Sequence, residues 1–143
     1  ERWDVRDNTL YGPGARPIVA LDETVEPLDG TNRVLAAPPP QAAVFVRANA
    51  YEAGRANVVV YNWSHQDTVP ITLSAVLERG DRYAVYNAQD FFGAPVTGGV
   101  YGGAPVRIPM RGVAPPAPIG GAPQAPPSTG SAFGVFVVTR LPR

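Results

Sequence analysis

With 143 residues, the chain has the length of one ordinary domain, enough for a real core but not for two large ones. Its 45% apolar content excludes wholesale disorder, and twelve acidic residues against twelve basic ones leave no net field to favour nucleic acid or an anionic membrane. Without cysteine there is neither a disulfide framework nor a thiolate metal site. All twelve cations are arginine, which codon bias in a GC-rich genome explains without any binding role. Seventeen prolines and fifteen glycines argue against a helical fold. No apolar run approaches the roughly 20 residues that span a bilayer. The chain starts at Glu1 with no signal peptide, so the expectation is a fragment or mature C-terminal portion of something longer.

Taken in order, residues 1–40 are irregular. Arg2 to Tyr11 alternates weakly, with Trp3, Val5, Leu10 and Tyr11 as inward candidates, and reads as one short strand ended by Gly12-Pro13-Gly14. Pro17 to Leu21 reads as a second short strand, and Asp22 to Arg33 as acidic and turn-forming. Ala36 to Pro40, AAPPP, reads as an extended polyproline connector, which places a domain boundary there: 1–40 as an irregular segment or the end of a preceding domain, 41–143 as the main domain.

After the connector the pattern sharpens. Ala43 to Arg47 is a strand with Val44 and Val46 on one face. Val58 to Trp63 is apolar on both faces and reads as a central strand covered on both sides, with Val58 and Val60 opposite Val59, Tyr61 and Trp63. Ser64 to Asp67 is a polar hairpin turn, and Thr68 to Leu73 resumes alternation with Val69, Ile71 and Leu73 inward. Pro70 puts that strand at an edge or a bulge, because proline donates nothing to a ladder.

Ser74 to Leu77 fits a single helical turn, and Arg79-Gly80-Asp81 a tight turn. Arg82 to Asn87 is the next strand, followed by a loop with adjacent Phe91 and Phe92. Val96 to Tyr101 and Val106 to Met110 read as two more strands forming a glycine-punctuated hairpin, with Pro109 again at an edge. Residues 111–132 hold six prolines and four glycines and read as a low-complexity, extended loop. Phe133 to Leu141 closes the chain as a central strand, with Phe136 and Val138 on the face opposite Phe133, Val135 and Val137. About six to eight strands with hairpin-length connections make an all-β chain, an antiparallel β-sandwich with one long Pro/Gly/Ala-rich loop; a closed barrel is the second choice.

The order of these segments (a strand ending Tyr61-Asn62-Trp63, then DTVPITLSAVL, GDRYAVYNAQDFFG, PVRIPM and a terminal FGVFVVTRL) resembles the C-terminal β-sandwich domains appended to bacterial carbohydrate-active enzymes, of the α-amylase C-terminal type. It is similar also to segments that follow right-handed parallel β-helix regions of secreted bacterial proteins, in which case RWDVRDNTLYG belongs to the last coil of such a helix. The resemblance covers residues 43–143 and implies an extracytoplasmic setting with the chemistry, if any, in a preceding domain.

Candidate sites are few. His65 beside Asp67 suggests an oriented base, but a triad needs a nucleophile and a third placed group, and a solvated turn histidine explains the pair more simply. One histidine and no cysteine leave zinc or copper dependent on carboxylates, and Asp22-Glu23 or Asp90 offers calcium no EF-hand spacing. Asp29, Asp67 and Asp81 sit where turns favour aspartate, as solvated groups. Gly98 to Gly103 lacks the lysine and helix of a phosphate loop. The open question is aromatic: Tyr61 is expected to pack inward, while Trp63, Phe91, Phe92 and Tyr101 lie near turns as candidates for stacking on sugars.

The expected function is therefore that of a non-catalytic accessory domain, with no cofactor, capping a preceding domain of the same polypeptide in a polysaccharide-associated protein. The alternatives are a carbohydrate-binding module and a structural subunit of a surface assembly.

Overall fold

The computed structural model describes residues 6–11, 31–112, 115–117, 119–120 and 130–142. The strand expected at Pro17 to Leu21, the acidic stretch around Asp22-Glu23, Asp29 and most of the proline-rich loop lie outside the described residues. Two compact units divide the chain, Glu1–Pro40 and Gln41–Arg143.

In the first unit, β1 (Thr9–Tyr11) pairs in parallel with β2 (Arg33–Leu35). The second of these strands is absent from the sequence reading. Three residues between Asn32 and an Ala-Pro run are too few to show alternation.

Among its described residues the second unit holds seven strands: β3 (Ala43–Ala48), β4 (Arg55–Tyr61), β5 (Thr68–Ile71), β6 (Arg82–Asn87), β7 (Thr97–Val100), β8 (Val106–Pro109) and β9 (Phe133–Arg140). Five form one sheet in the order β3-β4-β9-β6-β7, and β5 pairs with β8 in a second. Every pairing in this unit is antiparallel. This is the expected sandwich, with β9 in the middle of the larger sheet.

The core follows from alternation. Ala56, Val58 and Val60 of β4, Val85 of β6, and Phe136 and Val138 of β9 point from the larger sheet toward Val69, Ile71, Val106 and Ile108 of the smaller one. All are buried, and each such valine, isoleucine or phenylalanine contributes about 1.5–3 kcal/mol through burial. Gly134 shares this inner row. A Cβ there would stand 2.7 Å from the Phe136 ring, so the glycine makes the seat in which Phe136 lies. Val106, Ile108 and Met110 share a buried face as expected. Leu73 accepts bonds from the amides of Val76 and Leu77 in the anticipated single turn.

Pro70 and Pro109 both sit in the two-strand sheet, where among the described residues each strand is paired on one side only, the edge position that proline tolerates.

Two expected hairpins are not hairpins. β4 pairs with β3 and β9, whereas β5 pairs with β8, so Ser64 to Asp67 carries the chain from one sheet to the other. Asn62 enforces this. It is fully buried, its Nδ2 donating to the carbonyls of Gln66 (2.8 Å) and Ser131 (2.7 Å) and its Oδ1 accepting from Gln66 N. Those bonds turn the chain out of the sheet at the end of β4. Likewise β7 pairs with β6 and β8 with β5, so the glycines between them mark a second crossing rather than a hairpin. Gly103, with φ 89°, takes a conformation that favours glycine at this crossing.

Candidate functional site: an aromatic sheet face

Alternation that buries Val58 and Val60 sends Val59 and Tyr61 to the opposite, outer face of the five-stranded sheet. Cross-strand register builds that face row by row. One row reads Ala43, Tyr61, Phe133, and the next Phe45, Val59, Val135. The third begins with Arg47 and Asn57 and ends with Val137 and Tyr86, so the face turns polar toward that end of β3. The first two rows hold no titratable group other than the phenol of Tyr61.

These apolar groups stay partly exposed. Phe45 is 49% exposed and Tyr61 38%, with Val59, Phe133 and Val135 half-buried. This corrects the inward packing expected of Tyr61, and the expectation that this strand is covered on both faces. Phe45 meets the Tyr61 ring edge-on at 6.2 Å, Phe133 lies tilted against Tyr61 at 5.1 Å, and Trp63 stacks on it at 5.6 Å with planes only 15° apart. Four rings thus form one cluster around Tyr61.

The four aromatics singled out in the sequence part company. Trp63 belongs to the Tyr61 cluster. Phe91 and Phe92 follow a short 3-10 turn (Ala88–Asp90) after β6; Phe91 packs on Tyr86 at 5.5 Å, with the Arg55 guanidinium 5.4 Å above its ring. Phe92, beside it, is fully exposed. This second cluster lies near Val137, four residues along β9 from Phe133, or roughly 13 Å at strand rise. Tyr101 is a correction: at 2% exposure it belongs to the core, edge-on to Tyr83 at 6.4 Å. Its backbone explains why. Tyr101 N donates to Asp81 O and Tyr101 O accepts from Gly80 N, pinning the residue against the preceding turn with its ring inward. It presents no face to a ligand.

Sequence reasoning missed Phe45 and Phe133 as surface groups. The available signal was their position opposite the inward valines of their own strands. It also passed over Asn62, whose place at the end of a strand and before a polar turn was the only hint.

His65 and Asp67 are not partners. His65 Nδ1 lies 2.9 Å from Ser131 Oγ, while Asp67 Oδ1 pairs with Arg111 Nε at 2.6 Å. His65, Asp67 and Arg111 are exposed and Ser131 half-buried, a setting in which such contacts contribute little. Among the described residues no carboxylate meets the imidazole, so the Ser–His contact lacks an orienting group. His65 takes φ 52°, a turn conformation set by the bond from its amide to Asn62 O.

Asp81 also departs from expectation, being 5% exposed rather than solvated. Its Oδ2 accepts from Glu78 N at 2.9 Å, closing the turn, and Arg140 stands 3.8 Å away. These two residues with Leu141 and Pro142 line an open cleft of about 370 Å3. Asp81 serves there as a turn cap. Among the described residues no group of three or more His, Asp or Glu side chains is placed to hold a metal ion, and no helix is long and apolar enough to cross a membrane.

Compared with protein-family models, curated proteins and solved structures, the chain matches none.

Proposed function

We propose that this chain is a non-catalytic accessory module that docks on, and thereby caps and stabilises, a preceding domain of the same polypeptide, in an extracytoplasmic, polysaccharide-associated protein. The observation that carries the docking claim is the partly exposed apolar area centred on Phe45, Val59 and Tyr61, with Phe133 and Val135 half-buried beside them. A contiguous apolar patch of this kind marks an interaction surface. Its two rows lie on strands held in one antiparallel sheet, β4 and β9 paired on both sides and β3 on one, which suits them to bury area against another folded surface with little reordering. The extracytoplasmic and polysaccharide setting rests on the resemblance alone.

The double variant Phe45→Ser with Tyr61→Ser, made in the full chain, tests the docking face. The parent is expected to bind an apolar fluorescent dye and to self-associate as concentration rises; the variant should lose most of both while keeping its strand signal. A parent that neither binds dye nor associates would remove the reason for a cap.

A second reading, a carbohydrate-binding module, is favoured by one observation: the parallel Tyr61–Trp63 pair with fully exposed Phe92 on the neighbouring loop. Calorimetry against a glycan panel, with Trp63→Ala and Phe92→Ala as controls, decides it. Heat that disappears in either variant supports the module, and flat traces for every glycan exclude it.

A further inference from the structure

Among the described residues the larger sheet ends on β3 and β7, and the smaller on β5 and β8. An open edge is a template for another chain, and folded proteins blunt it with proline, charge or interruption. Three of these edges are blunted. Met110 N donates to Asp67 O, so in the ladder that follows Val69 and Ile71 turn their polar backbone groups toward β8, and Val106 and Ile108 toward β5. Pro70 and Pro109 fall on the alternate positions, where the missing N–H is one that would face outward. β7 is four residues long with Gly98 and Gly99 at its centre, which weakens it as a template.

β3 carries none of these devices. Its six residues, AVFVRA, include no proline, glycine or lysine. Asn49 N donates to Arg55 O at 2.9 Å, and the register of β3 on β4 runs into that pair without a bulge. Ala43, Phe45 and Arg47 therefore turn their N–H and C=O groups toward β4, and Val44, Val46 and Ala48 turn theirs to the open side. The sequence along this edge reads nearly the same in both directions. About Phe45, Val44 answers Val46 and Ala42 answers Ala48; Ala43 and Arg47 alone differ.

We propose that β3 pairs with β3 of a second copy of the chain, antiparallel about a two-fold axis at Phe45, joining two five-stranded sheets into one. Val44 then exchanges N–H and C=O groups with Val46 of the partner subunit. The two Phe45 rings form the central pair, at a position without hydrogen bonds, where opposed side chains come closest. Ala43 lies opposite Arg47 of the partner subunit, so no like charges face each other; centring on Arg47 instead would set the two guanidinium groups together. A second copy is the occupant because this register matches valine with valine on the inner face and ring with ring on the outer. The seam also joins the two aromatic patches, since each Phe45 already meets Tyr61 edge-on at 6.2 Å. An extended segment of a different polypeptide is the competing occupant.

Hydrogen exchange over a concentration series of the full chain tests this pairing. The Phe45 amide, bonded to β4, should be protected already in the dilute monomer. The Val44 and Val46 amides should exchange freely there, and slow by about tenfold or more between about 1 µM and 1 mM. Two substitutions read the register by sedimentation equilibrium. Ala43→Glu, set opposite Arg47 of the partner subunit, should tighten the dimer by about threefold or more, and Ala43→Arg should weaken it by as much. A chain that stays monomeric at about 1 mM would overturn the proposal. So would Val44 and Val46 amides whose exchange ignores concentration, or an Ala43→Glu chain no tighter than the parent. Association that leaves those two amides open belongs to the Phe45–Tyr61 face, so a failed edge leaves the docking reading standing.

Discussion

At the scale of single residues, Asn62 decides more of the topology than any apolar group. It is fully buried, and its side chain answers the Gln66 and Ser131 carbonyls and the Gln66 amide, tying the end of β4 to the start of β9. Asn62→Ala leaves those groups without partners, and each buried polar group so stranded costs about 1–3 kcal/mol. Urea unfolding should therefore show a loss of at least about 2 kcal/mol, and Asn62→Asp, which sets an acceptor against two carbonyls, should be no milder. Tyr83 gives the chain an alkaline limit. Burial, with Tyr101 adding a smaller effect, raises its phenol above the ordinary value near 10. Below about pH 10 the phenol is neutral in both states and its contribution is fully present. As pH rises further, the unfolded chain ionises first, so stability falls until the folded pKa is passed. The urea midpoint should hold from about pH 8 to pH 9, drop as pH passes about 10 in the parent, and drop less in Tyr83→Phe. The role of Asn62 was illegible beforehand, since its partners include a carbonyl 69 residues away.

At the scale of elements, strand identity and facing were legible because apolar alternation is a local property. Val44 with Val46, Val69 with Ile71, and Phe136 with Val138 all lie on the faces that their spacing gives. Pairing was not legible, because which strand a segment joins depends on where the connections lead. Ser64 to Asp67 has the length and polarity of a hairpin turn, yet it crosses between sheets. The outer face misled for a related reason. An apolar strand reads the same whether its second side is covered by its own chain or left open for another. Facing itself is testable. Val58→Asp puts an unpaired carboxylate among core residues and should abolish the cooperative unfolding transition. Val59→Asp, one position along on the outer face, should preserve that transition while reducing dye binding. Equal damage from both would refute the assignment of faces.

At the scale of the whole molecule, neither net charge nor composition pointed to a partner, and the seven-strand unit carries no assembled catalytic group among its described residues. What it presents is a sheet with one side given to its own core and, on the other, a partly exposed aromatic patch around Tyr61. The N-terminal unit is built differently, on parallel pairing with a 24-residue register. That register was invisible in the sequence because only Asn8 and Asn32 repeat identically within the matched strands and the pair of residues before them. The central claim, that the Phe45–Tyr61 face docks on a domain of the same polypeptide, is tested most directly by photocrosslinking. A photoreactive phenylalanine at position 45, in the protein as its own cells make it, should yield an intramolecular crosslink to a folded domain outside residues 41–143, with no change in the mass of the polypeptide. Crosslinks only to other molecules, or none at all, would contradict it.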